Sequence, residues 1–600
     1  MSEKRRRTFS EALSSVPFSP YLHGLPEILL YQALTKTALA VCIFALKHAT
    51  SAILWAADKP AITSSDIPFL LRTWQGWLIL CIGALALFAY AAFDVNAMII
   101  MSRNILHQQK KRITSVIAEG VSTLPRLLSP VGFLAVAYLA FIAPLAFREL
   151  GISLSFSLVV PDFIMSVVLA DPATAALWRA FQTLTVFVNV SCILTFHFIV
   201  LGDLSPKDAI VRSFSRFRRE WRFILKRDAA FLAKAARVQA IVAALCAALP
   251  LAALELSGAE GSARHTALIF ALALSLVGFG GFLAVFGPLQ FVCLTSIYEA
   301  LVDPSEAPRL PRAKRGVFFG CTAAAAVALC AGIAALAAPS FDELFPTTTP
   351  VQVIAHRGGG FLSTENTAES IAAAAQHRVY ASEIDVQRTK DGRYVVHHDN
   401  TFKRLCGVDR AVSDMTLDEI RELSVRDPND PARSVPIATL EEALEAAKGR
   451  VHLYIELKGP TADRAMADDV YRAVRDAGML EQCSIIGLDY DLVDYVESEH
   501  PDAQTLYLCF YALGNLEDLN ADGIGLEAES ATPENVERIK EAGKRVDVWT
   551  CNEPRTLARF LFSEVDGVIT DRIDLAEETL DTVASQSDLG RVAFFAASNL

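Results

Sequence analysis

Four short clusters in the second half of the sequence carry most of its chemistry. They are His356-Arg357-Gly358 with Glu365-Asn366-Thr367 just after it, Glu383-Ile384-Asp385, His397-His398-Asp399 and Glu456-Leu457-Lys458. An extended chain puts alternate side chains on opposite sides, so Glu383 and Asp385 share one side of a strand, and Glu456 and Lys458 share another. Three carboxylates and a lysine converging at one place are strongly unfavourable when buried unpaired. A bound hard cation resolves that cost: oxygen ligands from Glu383, Asp385 and Glu456 suit one Ca2+ or Mg2+, with water and substrate oxygens completing the shell. The bland alternative is a polar layer in which these carboxylates pair with Arg357, Lys458 or Arg404. His356 and His398 are the candidate proton carriers, because imidazole titrates near neutrality and both are placed to face the same site. His397 should face away from His398 and is read as structural, as are His377, His452 and His500. Arg357 and Lys458 beside a divalent cation would hold an anion with several oxygens, phosphate being the usual one, which points to phosphoryl chemistry.

The elements that must position these groups alternate short β-rich runs with helical patterns, the signature of parallel α/β architecture. Candidate strands cover 351–356, 382–386, 452–458, 484–488, 505–510, 523–527, 546–550 and 567–570, with helical patterns between most of them. Eight strands with helical crossovers predict a TIM barrel whose C-terminal face carries the chemistry. A further β-like run, 394–399, follows a turn too short for a parallel crossover. It is read as a hairpin arm that returns His398 toward Asp385.

The first half is a different kind of protein. Residues 1–338 hold 30 Lys+Arg against 19 Asp+Glu, whereas residues 339–600 hold 25 against 48. The first half also contains repeated apolar runs of about 20 residues, long enough to cross a bilayer as helices. Spans are expected near 31–55, 74–100, 128–147, 178–201, 236–256, 266–298 and 316–338. An apolar stretch at 152–169, interrupted by Pro161 and Asp162, is read as re-entrant or interfacial. The basic connections after the second, fourth and sixth spans should be cytoplasmic. The chain is therefore expected to be a multi-pass cell (inner) membrane protein: a cytoplasmic N-terminal segment (1–30), an all-α membrane domain of about seven spans (31–338), a linker (339–350), an extracytoplasmic α/β barrel (351–581) and a tail (582–600). This composition excludes a wholly soluble enzyme, and the acidic half excludes nucleic acid as a partner held by a basic patch. His197 is the most deeply placed ionisable group of the spans and, with no visible partner, a weak sign of transport. The run 212–227 interleaves Arg with Phe214, Phe217, Trp221 and Phe223; it is read as a topology determinant or an amphipathic surface helix.

In motif and order the second half resembles the glycerophosphodiester phosphodiesterases. The blocks VIAHRGGG, ENTAES, SEIDVQRTKDGRYVVHHDNTFKR, VPIATLEEAL, YIELKG, VDVWTCN and VDGVITD follow one another from about 351 to 574, and the apolar half resembles the multi-span domain ahead of some members. The resemblance implies a metal-dependent TIM-barrel hydrolase releasing sn-glycerol 3-phosphate and an alcohol. The attacking group would be the substrate's own glycerol hydroxyl, giving a cyclic phosphate that water then opens. By position, Glu383, Asp385 and Glu456 would hold the metal, His356 and His398 would be the acid/base pair, Arg357 and Lys458 would bind phosphate, and Trp549 would wall the glycerol. Glu365 has two readings, a contact to the metal site or a helix cap. Thr364, where Pro often stands, is expected to be neutral; Gly487-Leu488, in place of Ser-Phe, is expected to reshape the pocket for the leaving alcohol. Substrates implied are small or lipid-derived glycerophosphodiesters at a membrane, with lysophospholipid or polyglycerophosphate as the alternative, and a barrel that binds without turnover as the outsider.

Overall fold

The computed structural model describes residues 24–109, 111–138, 165, 168–169, 171–302, 316–427 and 433–599. The N-terminal cationic run, most of 152–169 and the basic connection 309–315 lie outside them. The chain divides into two compact units, one built mainly from 1–46, 80–160 and 164–341, the other mainly from 47–79 and 342–600.

The first unit is helical. Six helices are long and apolar enough to cross a membrane: Leu25–Trp55, Trp74–Leu106, Pro172–Val200, Pro206–Leu256, Gly261–Val302 and Cys321–Leu344. A seventh arises if the pair Ile113–Leu127 and Pro130–Ala137, bent by 117°, counts as one span. The break follows from sequence, because Pro125 and Pro130 each remove a backbone donor and Ser129 caps the second helix through Gly132 N. The basic run after the fourth span is not a loop. It forms the first half of one helix, Pro206–Ser257, capped by Ser205 and non-helical only at Glu220. His197 has a partner, with Nε2 3.1 Å from Thr295 Oγ1 and its ring 5.8 Å from that of Tyr298.

The second unit is a closed parallel barrel. Its strands are β1 (Gln352–Ala355), β2 (Ala381–Arg388), β3 (His452–Leu457), β4 (Cys483–Gly487), β5 (Gln504–Cys509), β6 (Gly523–Glu527), β7 (Arg545–Trp549) and β8 (Gly567–Thr570). Each pairs in parallel with its neighbours in chain order, and β8 closes on β1 with Thr570 opposite Ala355. The run Tyr394–Val396 pairs antiparallel with the end of β2, the arm expected from its short turn. Helices return most strands to the next, the connection from β5 to β6 having only a 3-10 turn at Leu516–Asp518, and several begin with the same device: Thr367, Thr416 and Thr439 accept from the backbone three residues on, each in a capping box.

Alternation along the strands separates two layers. Ile384, Val386, Leu453, Ile455 and Leu457 point outward into the layer beneath the helices. Ile354, Tyr454, Ile486, Leu506, Leu508 and Ile569 fill the barrel interior, with Leu488 and Trp549 packed against them. Two residues beyond an inward apolar residue is again an inward one. His356 therefore follows Ile354, Glu456 follows Tyr454, Leu488 follows Ile486 and Asp571 follows Ile569. The polar groups form the layer capping an apolar barrel core.

Two segments outside 351–581 belong to this unit. Ala61–Thr63 adds as an antiparallel strand to Ala512–Gly514 in the loop leaving β5, with Ala61, Ile62 and Thr63 all buried. Tyr507 of β5 donates to Thr63 Oγ1 at 2.6 Å. The tail is a helix, Asp588–Asn599; Phe594 and Phe595 pack edge-on against Phe562, and Arg591 bonds Asp342 and the Phe345 carbonyl. Gly514 sits at φ 113°, and a Cβ there would meet Pro60 O at 2.8 Å and Ala61 Cα at 2.9 Å. Gly514→Ala should cost roughly 1–2 kcal/mol. Thermal unfolding of the full chain should show the barrel transition a few degrees lower, with earlier proteolysis between residues 56 and 66; an unchanged transition and cleavage pattern would contradict the packing of this strand.

Candidate active site

The carboxylates come together as the strand pattern requires. One ligand oxygen from each of Glu383, Asp385 and Glu456 lies within 4.8 Å of the other two, and all three residues are buried. β2 and β3 bring them together, since Asp385 pairs in register with Glu456. Lys458 Nζ lies 2.7 Å from Asp385 Oδ1 and 3.3 Å from Glu456. One ammonium thus faces three carboxylates, which is part of the polar-layer alternative but leaves it unbalanced. Glu383 Oε1 is buried without any hydrogen-bond partner among the described residues.

The electrostatics follow that imbalance. Burial and the Asp385 charge push the Glu383 carboxyl up to about 8. Burial also raises Glu456, against the pull of Lys458. Burial opposes ionisation of Asp385 as well, but Lys458, His398 and Arg357 together hold it well below the usual carboxylate range. Lys458 thus serves the Asp385 and Glu456 side, while Glu383, with an oxygen unclaimed among the described residues, has His356 Nε2 at 4.0 Å from its other oxygen. Hard oxygen donors, a buried orphan oxygen and excess negative charge fit a divalent cation.

The loop after β1 is shaped around these carboxylates. Arg357 adopts φ 50° and Asn366 φ 58°, a region that L-residues avoid. Both are held there by carboxylates of the cluster: Arg357 N donates to Glu383 Oε2 at 2.8 Å, and Asn366 Nδ2 donates to Asp385 Oδ2 at 2.7 Å while its Oδ1 accepts from Asp385 N. Strain of this kind persists only where surroundings over-determine it. Gly360, at φ 54°, brings the same loop onto the Asp571 backbone, where a Cβ would stand 2.3 Å from the carbonyl oxygen.

Each catalytic histidine candidate has its Nδ1 engaged by a carboxylate. His356 Nδ1 is 2.8 Å from Asp571 Oδ1, and its Nε2 lies 4.0 Å from Glu383 Oε2. His398 Nδ1 is 2.9 Å from Asp399 Oδ1. Their environments differ. Burial lowers the basicity of both, but for His356 the adjacent Asp571 outweighs it and the net shift is upward. For His398 burial wins and the shift is downward. A cation at the carboxylates would lower both. His397 is buried on the other side, with Nε2 3.2 Å from Thr401 O and its ring against Phe402.

A chain of ion pairs links the two sides of the mouth. Arg404 bonds both Asp399 and Glu365, and Glu365 Oε1 lies 3.3 Å from Arg357. Glu365 is therefore a bridge between two arginines, and it is not the helix cap, which is Thr367, whose side chain accepts from Ser370 N. The Thr364 hydroxyl donates to the buried Asp427 at 3.0 Å, a bond that proline could not make. Trp549, at the end of β7, is half-buried with its indole N–H donating to Gly525 O at 2.9 Å.

Reasoning from sequence missed Asp571, Asn552 and Glu527, and placed Asp399 in a site cluster without a role for it. Asp571 was discoverable: in a closed barrel the last strand lies beside the first, so the residue after Thr570 stands opposite His356. Asn552, which bonds Asp571 through both its amide and its carbonyl, has no such periodic signal. Glu527 ends β6 opposite Trp549 and is buried at the same rim, a position the inward alternation of β6 specifies.

With this geometry described, comparison with known proteins is informative. Residues 22–324 match the membrane domain of glycerophosphoryl diester phosphodiesterase, and residues 356–575 match the glycerophosphoryl diester phosphodiesterase family. A glycerophosphodiester phosphodiesterase of Caldanaerobacter subterraneus subsp. tengcongensis is 31% identical over 231 residues, covering 36% of this chain and 93% of its own. One from Bacillus subtilis is 26% identical over 248 residues, covering 38% and 85%. Among solved structures, a Thermotoga maritima glycerophosphodiester phosphodiesterase is 27% identical with a TM-score of 0.32, covering 38% of this chain and 97% of its own. An Oleispira antarctica phosphodiesterase solved with the product sn-glycerol-3-phosphate is 24% identical with a TM-score of 0.34, covering 38% and 96%. The chain belongs to the glycerophosphoryl diester phosphodiesterase family, an enzyme that joins the family's membrane domain to its catalytic TIM barrel.

Proposed function

We propose that the chain hydrolyses glycerophosphodiesters to sn-glycerol 3-phosphate and an alcohol, at a metal-dependent site outside the cytoplasm served by His356 and His398. The observation that carries this reading is the buried carboxylate cluster with its unclaimed Glu383 oxygen, flanked by two histidines whose Nδ1 atoms are held by Asp571 and Asp399. Glu383, Asp385 and Glu456 would hold the cation, and both Ca2+ and Mg2+ suit this donor set. When bound, the cation supplies neutralisation of charge on the phosphate oxygens. The guanidinium of Arg357, oriented by Glu365, and the Lys458 ammonium bind the same phosphate from the protein side. Trp549 offers its ring to the glycerol.

With Nδ1 of each histidine fixed, Nε2 is the atom left for proton transfer. One histidine takes the proton from the attacking oxygen while the other protonates the leaving alcohol. Over the whole reaction the P–O bond to the alcohol breaks, an oxygen of water ends on phosphorus, and the alcohol departs with a proton. Attack by the glycerol hydroxyl followed by opening of the cyclic phosphate uses the same two histidines with roles exchanged. This supplies acid and base catalysis without a serine or cysteine nucleophile.

The name and 31% identity of the Caldanaerobacter relative support the substrate class. The excess of Lys+Arg in the first half, concentrated after alternate spans, supports placing the barrel outside.

The direct test is release of glycerol 3-phosphate from glycerophosphocholine by the full chain in detergent. Chelation should abolish it, and Ca2+ or Mg2+ should restore it; activity indifferent to chelator would contradict the metal reading. Glu383→Gln should lose activity by about 100-fold or more while the metal-free protein stays equally or more stable, because a buried carboxylate has been neutralised. Asp571→Asn should lower kcat by about 100-fold with little change in KM, since it unfixes His356 and leaves the phosphate ligands intact; an equal loss in KM would point to binding instead. A reporter fused after Asp581 should be active only in a form that requires export, and a cytoplasmic signal would overturn the orientation.

A further inference from the structure

The first half of the helix Pro206–Ser257 is cationic, and most of that charge is unclaimed. Residues 206–227 hold eight Lys+Arg against two Asp+Glu. The barrel pairs most of its arginines with carboxylates, Arg388, Arg404 and Arg421 among them. Arg212, Arg216, Arg218 and Arg219, by contrast, have no carboxylate partner among the described residues. Four like charges within about two helical turns repel one another, and an anion beside them relieves that repulsion.

A cavity lies along one flank of the same helix. The inner face is fixed by the turn at 192–194, where the helix Pro172–Ser191 ends and Thr195–Val200 begins. Leu194 N donates there to the buried Ser213 Oγ at 3.2 Å. The flank beside Ser213 carries Ile210 and the residues one, four, five, eight and nine positions after it, which helical spacing brings together. With Cys192 they line a cavity of about 570 Å3. That volume falls in the range of small-molecule sites, about 300–1,000 Å3. All the described lining residues belong to one compact unit and to two helices long and apolar enough to cross a membrane.

The lining changes character along the helix. It is apolar at Ile210, Val211 and Phe214 and polar at Ser215, Arg218 and Arg219, with Ile210 and Arg218 about 12 Å apart along the axis. Val211 is 61% exposed and Phe214 42%. A free inorganic anion would pair with the guanidiniums and leave that apolar surface to water. A wholly apolar partner would bury the guanidiniums unpaired, at a large cost. A molecule with a phosphate head and a hydrocarbon body satisfies both halves. Consecutive guanidiniums beside a hydroxyl suit phosphate oxygens through charge-assisted hydrogen bonds. The bilayer around such helices is the source of that amphiphile.

We propose that this cavity is a binding site for one anionic phospholipid, its phosphate held by Arg218 and Arg219 with Ser215, its apolar part lying on Ile210, Val211, Phe214 and Cys192. The site shares no residue with the catalytic layer and does not depend on the phosphodiesterase reading. It also differs from a topology signal or a diffuse attraction to a lipid surface. Those depend on how many charges the helix carries, whereas this site depends on where they stand.

The test uses the delipidated full chain in a mild detergent at physiological salt, with native mass spectrometry counting the lipids retained. Phosphatidylglycerol is titrated beside the zwitterionic phosphatidylcholine. One phosphatidylglycerol should bind ahead of further copies, and about tenfold or more tighter than phosphatidylcholine. Arg218→Gln with Arg219→Gln should weaken it by about tenfold or more. Arg212→Gln with Arg216→Gln removes the same charge from the same helix outside the cavity. That pair should cost no more than about threefold. Equal losses from both pairs, or equal affinity for the two lipids, overturn the site in favour of diffuse attraction. Displacement of the phosphatidylglycerol by inorganic phosphate in modest excess would reveal a free-anion site and overturn it as well. Independently of the variants, phosphatidylglycerol with a photoreactive acyl chain should label the unmodified chain in peptides covering 192 and 210–219. Labelling that spares those peptides overturns the placement.

Discussion

Uncompensated negative charge in the mouth of the barrel is the constraint from which the rest of the site follows. Three carboxylate oxygens within 4.8 Å repel one another by about 3 kcal/mol or more per ionised pair at the effective dielectric of a protein. Lys458 offsets part of this for Asp385 and Glu456, and nothing among the described residues offers Glu383 Oε1 a hydrogen bond. The surrounding backbone is bent to serve the same oxygens: Arg357 and Asn366 accept left-handed conformations to donate to Glu383 and Asp385. A fold selected for stability alone would fill these positions with apolar residues, as it does one layer below with Ile354, Tyr454 and Ile569.

Around that centre the second ring of polar residues fixes orientation. Asp571 and Asp399 determine which nitrogen of each histidine faces the substrate, and Asn552 and Arg404 in turn hold those aspartates. Glu365 ties Arg404 to Arg357, so the guanidinium of Arg357 and the His398 side of the site form one network. Substitution at Arg404 or Glu365 would thus be felt at both Arg357 and a histidine.

Much of this was legible before any coordinates. Short β-rich runs between helical patterns located all eight strands, because burial on both faces of a parallel barrel favours near-continuous β-branched and apolar runs, and the alternation of side chains along a strand put Glu383 and Asp385 on one side. The short turn before Tyr394 forced an antiparallel arm and with it the position of His398. What escaped was what periodicity cannot encode. The bridging role of Glu365 depends on Arg404, 39 residues away, and the Thr364 bond on Asp427, 63 residues away. The strand Ala61–Thr63 lies between two membrane-spanning helices and is too short to register as β structure; it exists because the loop after β5 supplies a partner and Gly514 allows a close approach. The basic run after the fourth span is helical, as one of its two readings had it, within a helix that the Ser205 cap starts and that runs on from Pro206 to Ser257.

The central claim is that the carboxylate cluster is a divalent-cation site and not a polar layer. Isothermal titration of the chelator-stripped full chain with Ca2+ and Mg2+ tests it most directly, beside the same titration of Asp385→Asn. The account predicts one saturable site per chain for at least one of the two ions, lost in the variant. Release of glycerol 3-phosphate by a chain that binds neither ion would contradict it.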